Sequence, residues 1–401
     1  MIKGKNIIDI LRKFKHEYEI IIYRIFSLFP VNQHRILFES EDDFSDNSFA
    51  LFDYMKKNGF FKKYEPIWLI SHPVVNIDLF NGTCIAKWNR SLGLKRAYYL
   101  ATSKYYIFDH SNVFSSLPVR KHQVLVNLWH GCPFKSGKGK STATSNKEEM
   151  VPSTSDFWKE FMALFLLCDI NKVQSLGFPR NDYFFNSDMN LLQQWMHEKS
   201  WTRYKKIIFW MPTFRKSNNV TISENYFEAE TGLPIVNTIE DMLCLNSVLK
   251  SMDSLMVFKV HHLQAECNAF NKKYSNIQIL KDEDILKKSL QLYQIISLSD
   301  ALITDYSSIS NDYLLLDRPI IFTLDDYEEY KRSRGFTMDD PIQYFPGHHV
   351  YNKAELFSAL QMVLSGKDLY KKERNKVRLI LHKFRDGNSS QRILDYIGIR
   401  K

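Results

Sequence analysis

Polar side chains that could move a proton or bind phosphate stand at the ends of apolar segments in this 401-residue sequence. They are His130 after segment 123–129, Arg215 closing 205–215, His261 and His262 closing 254–262, and residues 305–308 (Asp-Tyr-Ser-Ser) within 299–309. A histidine gains or loses a proton near neutral pH. Arginine and serine are common phosphate ligands. These residue types therefore favour chemistry on a phosphorylated substrate.

His130 is the candidate for proton transfer, since it follows a buried-looking strand and precedes Gly131, which would allow close approach of a substrate. Lys135, Lys138 and Lys140 follow and could attract phosphate. The alternative is a histidine that only caps a turn, with lysines that are only solvated.

The segment Asp305 to Ser308 precedes a predicted helix, where hydroxyls and free backbone N–H groups could hold phosphate. The alternative is that Ser307 or Ser308 is simply an N-cap. Arg215 could clamp phosphate or lie on the surface. His261 and His262 suggest a metal only weakly, because no further ligands are spaced nearby, so no bound metal or other cofactor is expected.

Short apolar segments alternate with helical ones in two series, which is typical of parallel α/β domains. We predict an N-terminal domain over 31–190, a second domain over 203–370 and C-terminal helices over 371–401. In such sheets ligands collect at the carboxyl ends of the strands. The pattern therefore predicts two domains with a cleft between them, with the polar groups named above at the strand ends.

Residues 1–30 form a predicted amphipathic helix with one apolar face and an excess of basic side chains. The apolar face consists of Ile7, Leu11, Phe14, Tyr18, Ile21, Ile25 and Leu28. The segment lacks the features of a signal peptide and the uninterrupted apolar run of a transmembrane helix. It could lie in an anionic membrane surface, pack on the protein's own body, or join two copies of the chain.

The formal net charge of +9 and the sequence pI of about 9.0 favour an anionic partner. Aromatic side chains fall mainly within apolar strands rather than in an exposed basic stripe, which argues against nucleic acid. The five cysteines are scattered and contain no CxxC pair, so a disulfide framework is not expected and a reducing cytosol fits. Common nucleotide-binding and hydrolase motifs are absent from the sequence.

The order of several short motifs resembles the CDP-glycerol glycerophosphotransferase family, the teichoic-acid primases and polymerases and related capsule enzymes. The motifs, between residues 35 and 345, are FES…DN, WHG, GFPRND, PTFR, a strand ending in KxH, TDYSS, DYLLLDRPIIF and RGF. The resemblance implies a GT-B-like fold, in which two Rossmann-type domains face a cleft and an N-terminal segment holds the enzyme at the membrane.

The resemblance also implies roles for individual residues. His130 resembles the family's general base for the acceptor hydroxyl. His261, Ser307, Ser308 and Arg334 resemble the groups that hold the donor phosphates, and Asp312 resembles a residue near the polyol or its phosphate. For Arg180 and Asn181 we expect a structural role at the domain junction. This chain departs from the usual family pattern at Cys132, Phe134 and His262, which leaves the donor and acceptor open.

The function implied is transfer of glycerol phosphate or ribitol phosphate from a CDP-polyol to a hydroxyl of a lipid-linked teichoic-acid or capsule acceptor, with release of CMP. The expected location is the cytoplasmic face of the cell membrane, as a peripheral protein that could form homo-oligomers. Two alternatives remain open: a GT-B glycosyltransferase that uses a nucleotide sugar, and a non-catalytic protein that binds the membrane surface.

Overall fold

The computed structural model of the protein describes residues 17–70, 84–87, 93–110, 117–137, 147–213, 230–259, 270, 272–286 and 288–401. The strands are β1 Asn32–Glu39, β2 Glu65–Ile70, β3 Cys84–Lys87, β4 Ser103–Phe108, β5 Val124–Asn127, β6 Val151–Ser153, β7 Val173–Ser175, β8 Lys206–Met211, β9 Ser254–Phe258, β10 Ile277–Ile279, β11 Ala301–Thr304, β12 Ile320–Thr323 and β13 His348–Val350.

The α-helices of the described residues begin with α1, residues 17–26. The others are α2 Asp46–Lys57, α3 Leu94–Thr102, α4 Lys159–Leu166, α5 Tyr183–Asn186, α6 Met189–Glu198, α7 Ile239–Ser251, α8 Asp282–Leu286, α9 Leu292–Ile296, α10 Ile309–Tyr313, α11 Tyr327–Ser333, α12 Lys353–Leu364, α13 Lys371–Leu381 and α14 Ser389–Tyr396.

Contacts divide the chain into two compact units. Unit 1 comprises Met1–His130, Lys140–Asp182 and Asn388–Lys401, and unit 2 comprises Gly131–Gly139 and Tyr183–Gly387. Residues 131–139 and 183–190 of the predicted first domain thus belong to unit 2. The predicted C-terminal segment divides, with residues 371–387 in unit 2 and residues 388–401 in unit 1.

The sheet of unit 1 has the strand order β3-β2-β1-β4-β5, with all neighbours parallel. Its central strand β1 has the buried apolar run Ile36, Leu37 and Phe38, which covers both faces, and Phe38 pairs with Trp68 on one side and Ile107 on the other. Such continuous apolar strands are typical of parallel sheets covered by helices on both faces. The prediction of a parallel α/β fold is confirmed for this unit.

The sheet of unit 2 is also entirely parallel, in the order β10-β9-β8-β11-β12-β13. Trp210, Phe258 and Ile303 are fully buried in its core. When the strands of each sheet are counted in chain order, the first strand lies beside the fourth in both units. This is the doubly wound order of nucleotide-binding folds. The sequence pattern did not reveal strands β6 and β13, which are only three residues long.

The C-terminal helix α14 completes the core of unit 1. Ile393, Leu394 and Ile399 are fully buried there. The carboxylate of Asp182 accepts hydrogen bonds from the backbone N–H groups of Ser389 and Ser390, each at 2.8 Å. These contacts explain why the chain's last residues separate from the predicted C-terminal helical segment.

Helix α1 packs on unit 1 through a narrow face. Ile22 and Tyr23 are buried in a core cluster of this unit, and the Tyr23 hydroxyl donates to Gln123 at 3.0 Å. The described members of the predicted apolar face lie elsewhere and are exposed: Tyr18 54%, Ile21 56%, Ile25 54% and Leu28 86%. Residues 1–16 of the predicted helix lie outside the described residues.

Candidate functional site

Several polar side chains of unit 1 lie between β1 and β4, the point at which successive strands begin to be added on the opposite side of β1. Glu39 is the last residue of β1, and Asp109 and His110 directly follow β4. Ligands of doubly wound sheets bind in the crevice that forms outside the carboxyl ends of the strands at such a point. His130 follows β5, the neighbour of β4, and therefore lies at the same edge of the sheet.

His130 is an exposed residue, and its imidazole stacks on the ring of Trp129 at 4.0 Å between centroids and is anchored through one nitrogen. Its Nδ1 lies 3.2 Å from the backbone oxygen of Asp109. A carbonyl oxygen can only accept, so Nδ1 must carry the hydrogen of this bond. In the neutral ring Nε2 then holds the free lone pair, and no described residue hydrogen-bonds to it. This geometry suits a general base that acts through Nε2.

The backbone around His130 is held by two buried side chains of unit 1. The amide of Asn47 donates to the carbonyl of Trp129 at 2.6 Å, and the guanidinium of Arg180 donates to the carbonyl of His130 at 2.9 Å. Arg180 also pairs with both carboxylate oxygens of Asp46, at 2.8 and 3.0 Å. Sequence reasoning expected only a structural role for Arg180, and the structure places it directly against the candidate base.

A second, buried group of titratable side chains lies beside this site. The Tyr106 hydroxyl donates to Glu39, and the His110 ring lies 3.1 Å from Asp109 Oδ1 and 3.9 Å from Glu39 Oε1. Burial raises the pKa of Glu39 to about 7 and also raises the pKa of Asp109. Burial works to lower the pKa of His110, but the Asp109 hydrogen bond and the nearby carboxylates outweigh it, so that pKa is raised.

The sequence predicted no role for Glu39, although it belongs to the FES motif, nor for Asp109 or His110. The available signal was that each stands at the end of a predicted strand, as His130 does.

Unit 2 has a corresponding group at its own point of reversal, between β8 and β11. The fully buried carboxylate of Asp305 accepts from Thr213 N at 2.8 Å, from Thr213 Oγ1 at 2.6 Å and from Ser307 N at 3.2 Å. Asp305 therefore ties the loop after β8 to the loop after β11 and fixes the start of the Ser307–Ser308 segment.

The hydroxyls of Ser307 and Ser308 are available to a ligand. Both residues are half-buried, and Ser308 makes no side-chain hydrogen bond as the N-cap of α10. Neither hydroxyl has a hydrogen-bond partner among the described residues. A serine that serves only as an N-cap would accept a hydrogen bond from a backbone N–H of the first helical turn. Ser308 accepts no such bond.

Lys135 and Arg334 are brought to the same part of unit 2. The backbones of Lys135 and Phe336 pair in an antiparallel β-bridge, and Ser136 N donates to the carbonyl of Gly335 at 2.9 Å. The side chain of Lys135 reaches the loop after β8, where its Nζ donates to Thr213 Oγ1 at 3.4 Å. Arg334 is half-buried, and no described residue forms a hydrogen bond or ion pair with its guanidinium. The loop after His130 thus pairs with the Arg-Gly-Phe segment.

Asp312 is fully buried, and the Tyr293 hydroxyl donates to its Oδ2 at 2.6 Å. The next residue back, Asn311, uses its carbonyl to bind the buried ring of His382 at 2.7 Å. These contacts favour a role for Asp312 in holding α10 in place. Its contact with the polyol stays a prediction.

The remaining predicted ligands, Arg215 and His261, lie outside the described residues, as does His262. Within the described ranges no three His, Cys, Asp or Glu side chains are grouped as metal ligands.

A cavity of about 510 Å³ lies in unit 2 beside α11, and its lining includes Asp325, Asp326, Glu328, Glu329 and Arg332. Asp326 accepts a hydrogen bond from the buried Tyr306 at 2.8 Å. The four carboxylates outnumber the lining Arg332 and so disfavour an anionic ligand in this cavity.

The sequence profile of the family described as CDP-glycerol:poly(glycerophosphate) glycerophosphotransferase matches residues 21–398. A teichoic acid poly(glycerol phosphate) polymerase of Bacillus spizizenii is 29% identical over 344 residues, covering 80% of this chain and 81% of that protein. A teichoic acid ribitol-phosphate primase of the same organism is 26% identical and covers 94% of both chains.

Solved structures of the wall teichoic acid polymerase TagF have a similar fold. One of them, soaked with CDPG, superposes with a TM-score of 0.76 at 21% identity and covers 99% of this chain and 96% of that one. The Staphylococcus aureus MnaA–UDP structure is more distant, with a TM-score of 0.54 at 12% identity over 92% of this chain and 98% of that one.

Proposed function

This chain belongs to the CDP-glycerol:poly(glycerophosphate) glycerophosphotransferase family, and from that premise we propose that it moves a polyol phosphate from a CDP-polyol to a teichoic-acid acceptor. The acceptor hydroxyl attacks the phosphorus that carries the polyol. A new P–O bond forms, the bond between the two phosphates breaks, and CMP leaves with the electron pair.

The placement of His130 carries this proposal. An alcohol loses its proton as it attacks, and the proton needs an acceptor within hydrogen-bond reach. No described residue hydrogen-bonds to Nε2 of His130, and the bond from Nδ1 to the carbonyl of Asp109 fixes the ring's tautomer. We therefore assign His130 as the general base in unit 1, which we propose to be the acceptor-side half of a GT-B-like enzyme.

We propose that unit 2 holds the donor, at the end of its sheet. Ser307 and Ser308 offer hydroxyls and Arg334 offers an unpaired guanidinium, judged over the described residues. Lys135 adds positive charge beside Thr213. These groups can stabilise the charge that develops on the phosphoryl oxygens during transfer. Arg215 and His261 are proposed to act with them.

The test of the function is a donor panel. The full chain is incubated with CDP-glycerol, CDP-ribitol and UDP-sugars in the presence of a lipid-linked acceptor, and the product is identified by mass spectrometry. We expect CMP release and a mass increase of one or more polyol phosphates. UDP release with sugar transfer would favour a glycosyltransferase, and absence of turnover with every donor would favour a binding protein. Relatives that act with glycerol phosphate and with ribitol phosphate both occur, so both donors are required.

Arg334→Ala is expected to weaken donor binding, slow transfer, or do both, by about ten- to a hundred-fold in kcat/KM. The reason is the loss of charge-assisted hydrogen bonds to the donor phosphates, worth about 1.5–3 kcal/mol. Steady-state kinetics with varied CDP-polyol measure the effect. Arg332→Ala, which removes an exposed arginine two residues earlier, is the matched control. If the kinetics of Arg334→Ala equal those of the control, the Arg-Gly-Phe segment has only a structural role.

We further propose that α1 places the enzyme on the cytoplasmic face of an anionic membrane. The helix is fixed to unit 1 by Ile22 and Tyr23, while Ile21, Ile25 and Leu28 are exposed. This supports an interfacial helix more than one whose apolar stripe packs on the protein itself. None of the described helices is long and apolar enough to cross a bilayer.

The triple variant Ile21→Ser, Ile25→Ser and Leu28→Ser is expected to lose flotation with anionic liposomes. Each side chain contributes about 1.5 kcal/mol or more if it is fully buried in the membrane. The variant spares the buried Ile22 and Tyr23, so it should still fold and act on a soluble acceptor analogue. Leu243→Ser with Leu369→Ser, both exposed in unit 2, is the control.

The membrane role is contradicted if the unaltered chain ignores anionic liposomes. It is also contradicted if the triple variant converts a dimer into a monomer in sedimentation, since the exposed face would then belong to an interface between copies.

A further inference from the structure

The backbone of His130 is held from two directions by unit 1. Asn47 donates to the carbonyl before His130 and Arg180 donates to the carbonyl of His130 itself. We propose that Asn47 and Arg180, with Asp46 behind Arg180, are positioning residues that aim the imidazole of the general base. This inference rests on the proposed role of His130.

The held conformation is one that the chain does not adopt readily. Trp129 has a φ of 48° and Asp46 a φ of 55°, in the left-handed region that is uncommon for non-glycine residues. Gly131, with a φ of 128°, has a backbone that only glycine adopts without strain. Strained residues of this kind persist only where their surroundings hold them. The two side-chain hydrogen bonds on residues 129 and 130 supply such support.

Asn47 is suited to this role because both ends of its amide are used. Its Nδ2 donates to the carbonyl of Trp129, while its Oδ1 accepts from the backbone N–H of Arg180 at 3.1 Å. The residue is fully buried, so water cannot replace either bond. An aspartate of the same shape would place a carboxylate oxygen against the Trp129 carbonyl and repel it.

Arg180 is suited because its guanidinium makes several bonds at once. Nη1 binds Asp46 at 2.8 and 3.0 Å, and Nη2 binds the carbonyl of His130 at 2.9 Å. A lysine has a single ammonium group and cannot reproduce this fork. With Arg180→Lys the carbonyl of His130 loses a fixed partner while the charge of the residue is kept.

These bonds matter for catalysis because they fix the direction in which Nε2 of His130 points. The hydrogen bond from His130 Nδ1 to the Asp109 carbonyl can form only if the His130 backbone keeps the position in which Asn47 and Arg180 hold it. A displacement of about 1 Å can cost about a hundred-fold in rate. The effect falls on kcat, because none of the three residues belongs to unit 2, where the donor is proposed to bind.

The experiment compares Arg180→Lys and Asn47→Asp with Arg392→Lys in the full chain. Arg392 also donates to a backbone carbonyl of unit 1, that of Leu176 at 3.1 Å, away from His130 in sequence. We expect kcat to fall about ten- to a hundred-fold in the two positioning variants, with the donor KM within about twofold and thermal melting near that of the control.

A double-mutant cycle with His130→Ala separates positioning from folding. If Arg180 acts through the imidazole, Arg180→Lys should have little further effect once His130 is alanine. An equal loss in both backgrounds would overturn the inference. A severe His130→Ala defect together with normal activity in Arg180→Lys would also overturn it while leaving the proposed function intact.

The ¹⁵N spectrum of histidine-labelled protein gives a readout that needs no turnover. His130 should be mainly the Nδ1–H tautomer in the unaltered chain and a mixture of tautomers in Arg180→Lys. An identical tautomer population in both proteins would contradict the inference even if the donor panel showed no activity.

Discussion

Replacing His130 with alanine is expected to lower kcat by about a hundred- to ten-thousand-fold and to leave CDP-donor affinity within a few fold. A positioned general base contributes about that much to a reaction in which an alcohol must lose its proton. His130 is an exposed residue whose ring stacks on Trp129, so its removal takes away the proton acceptor and little buried packing. Pre-steady-state CMP release together with donor titration measures the two effects separately.

His122→Ala is the matched control, since this histidine is exposed on a turn of the same unit. Added imidazole should restore part of the activity of His130→Ala and none in the control background. A His130→Ala protein that keeps half of its activity would rule out the base role.

The largest expected effect on stability is at Arg374, whose side chain is fully buried in unit 2. Its Nε binds Asp317 Oδ1 at 3.0 Å and its Nη2 binds Asp368 Oδ2 at 2.6 Å. Arg374→Met leaves two carboxylates, each about 25% exposed, without their shared cation. Removing one partner of a buried ion pair costs about 3–5 kcal/mol, so the free energy of unfolding of unit 2 should fall by that order.

Urea denaturation followed by tryptophan fluorescence measures this change, with Arg378→Met as the control. Arg378 approaches Asp317 only at 3.7 Å and is partly exposed. The Arg374 hydrogen bond holds the pKa of Asp368 below its usual range. That stabilisation is present above the ordinary aspartate pKa of about 3.9 and is lost as the pH falls through the lower folded value. The difference in the free energy of unfolding between Arg374→Met and the unaltered protein should therefore shrink in acid. Equal urea midpoints of the two proteins at neutral pH would contradict the stabilising role of Arg374.

Three of the polar groups could be located from the sequence because their signal is local. His130, Ser307 and Ser308 follow strands that are apolar on both faces, and the structure places each at a carboxyl edge of a parallel sheet. Local patterns suffice here because a buried parallel strand reads as a continuous apolar run. The roles of these residues in catalysis and donor binding stay predictions.

The buried group of Glu39, Asp109 and His110 could not be predicted in the same way. Its members come together because β1 and β4 are neighbours, and that neighbourhood depends on the strand order. The support of His130 by Asn47 and Arg180 joins residues that are 82 and 50 positions apart from the carbonyls they bind. Periodicity within one segment carries no information on such pairings.

For α1 the sequence identified the apolar stripe, but it could not show which face meets the protein. Ile22 and Tyr23 lie outside the stripe and yet dock the helix. Their partners are contributed by β1, β2, α3 and later residues, which a helical pattern alone does not reveal.

Unit 1 needs residues 388–401 to complete its fold, so during synthesis it can be completed only after the ribosome has translated unit 2. Ile393, Leu394 and Ile399 fill the core of unit 1, whose preceding segment ends at Asp182. The roughly 200 intervening residues, which form most of unit 2, take about 10 to 40 s to translate at 5–20 residues per second. Unit 2 can therefore finish folding first, although unit 1 begins the chain. Until then the nascent unit 1 exposes the apolar surface that α14 and Ile399 will cover, and exposed apolar surface of this kind is prone to aggregation.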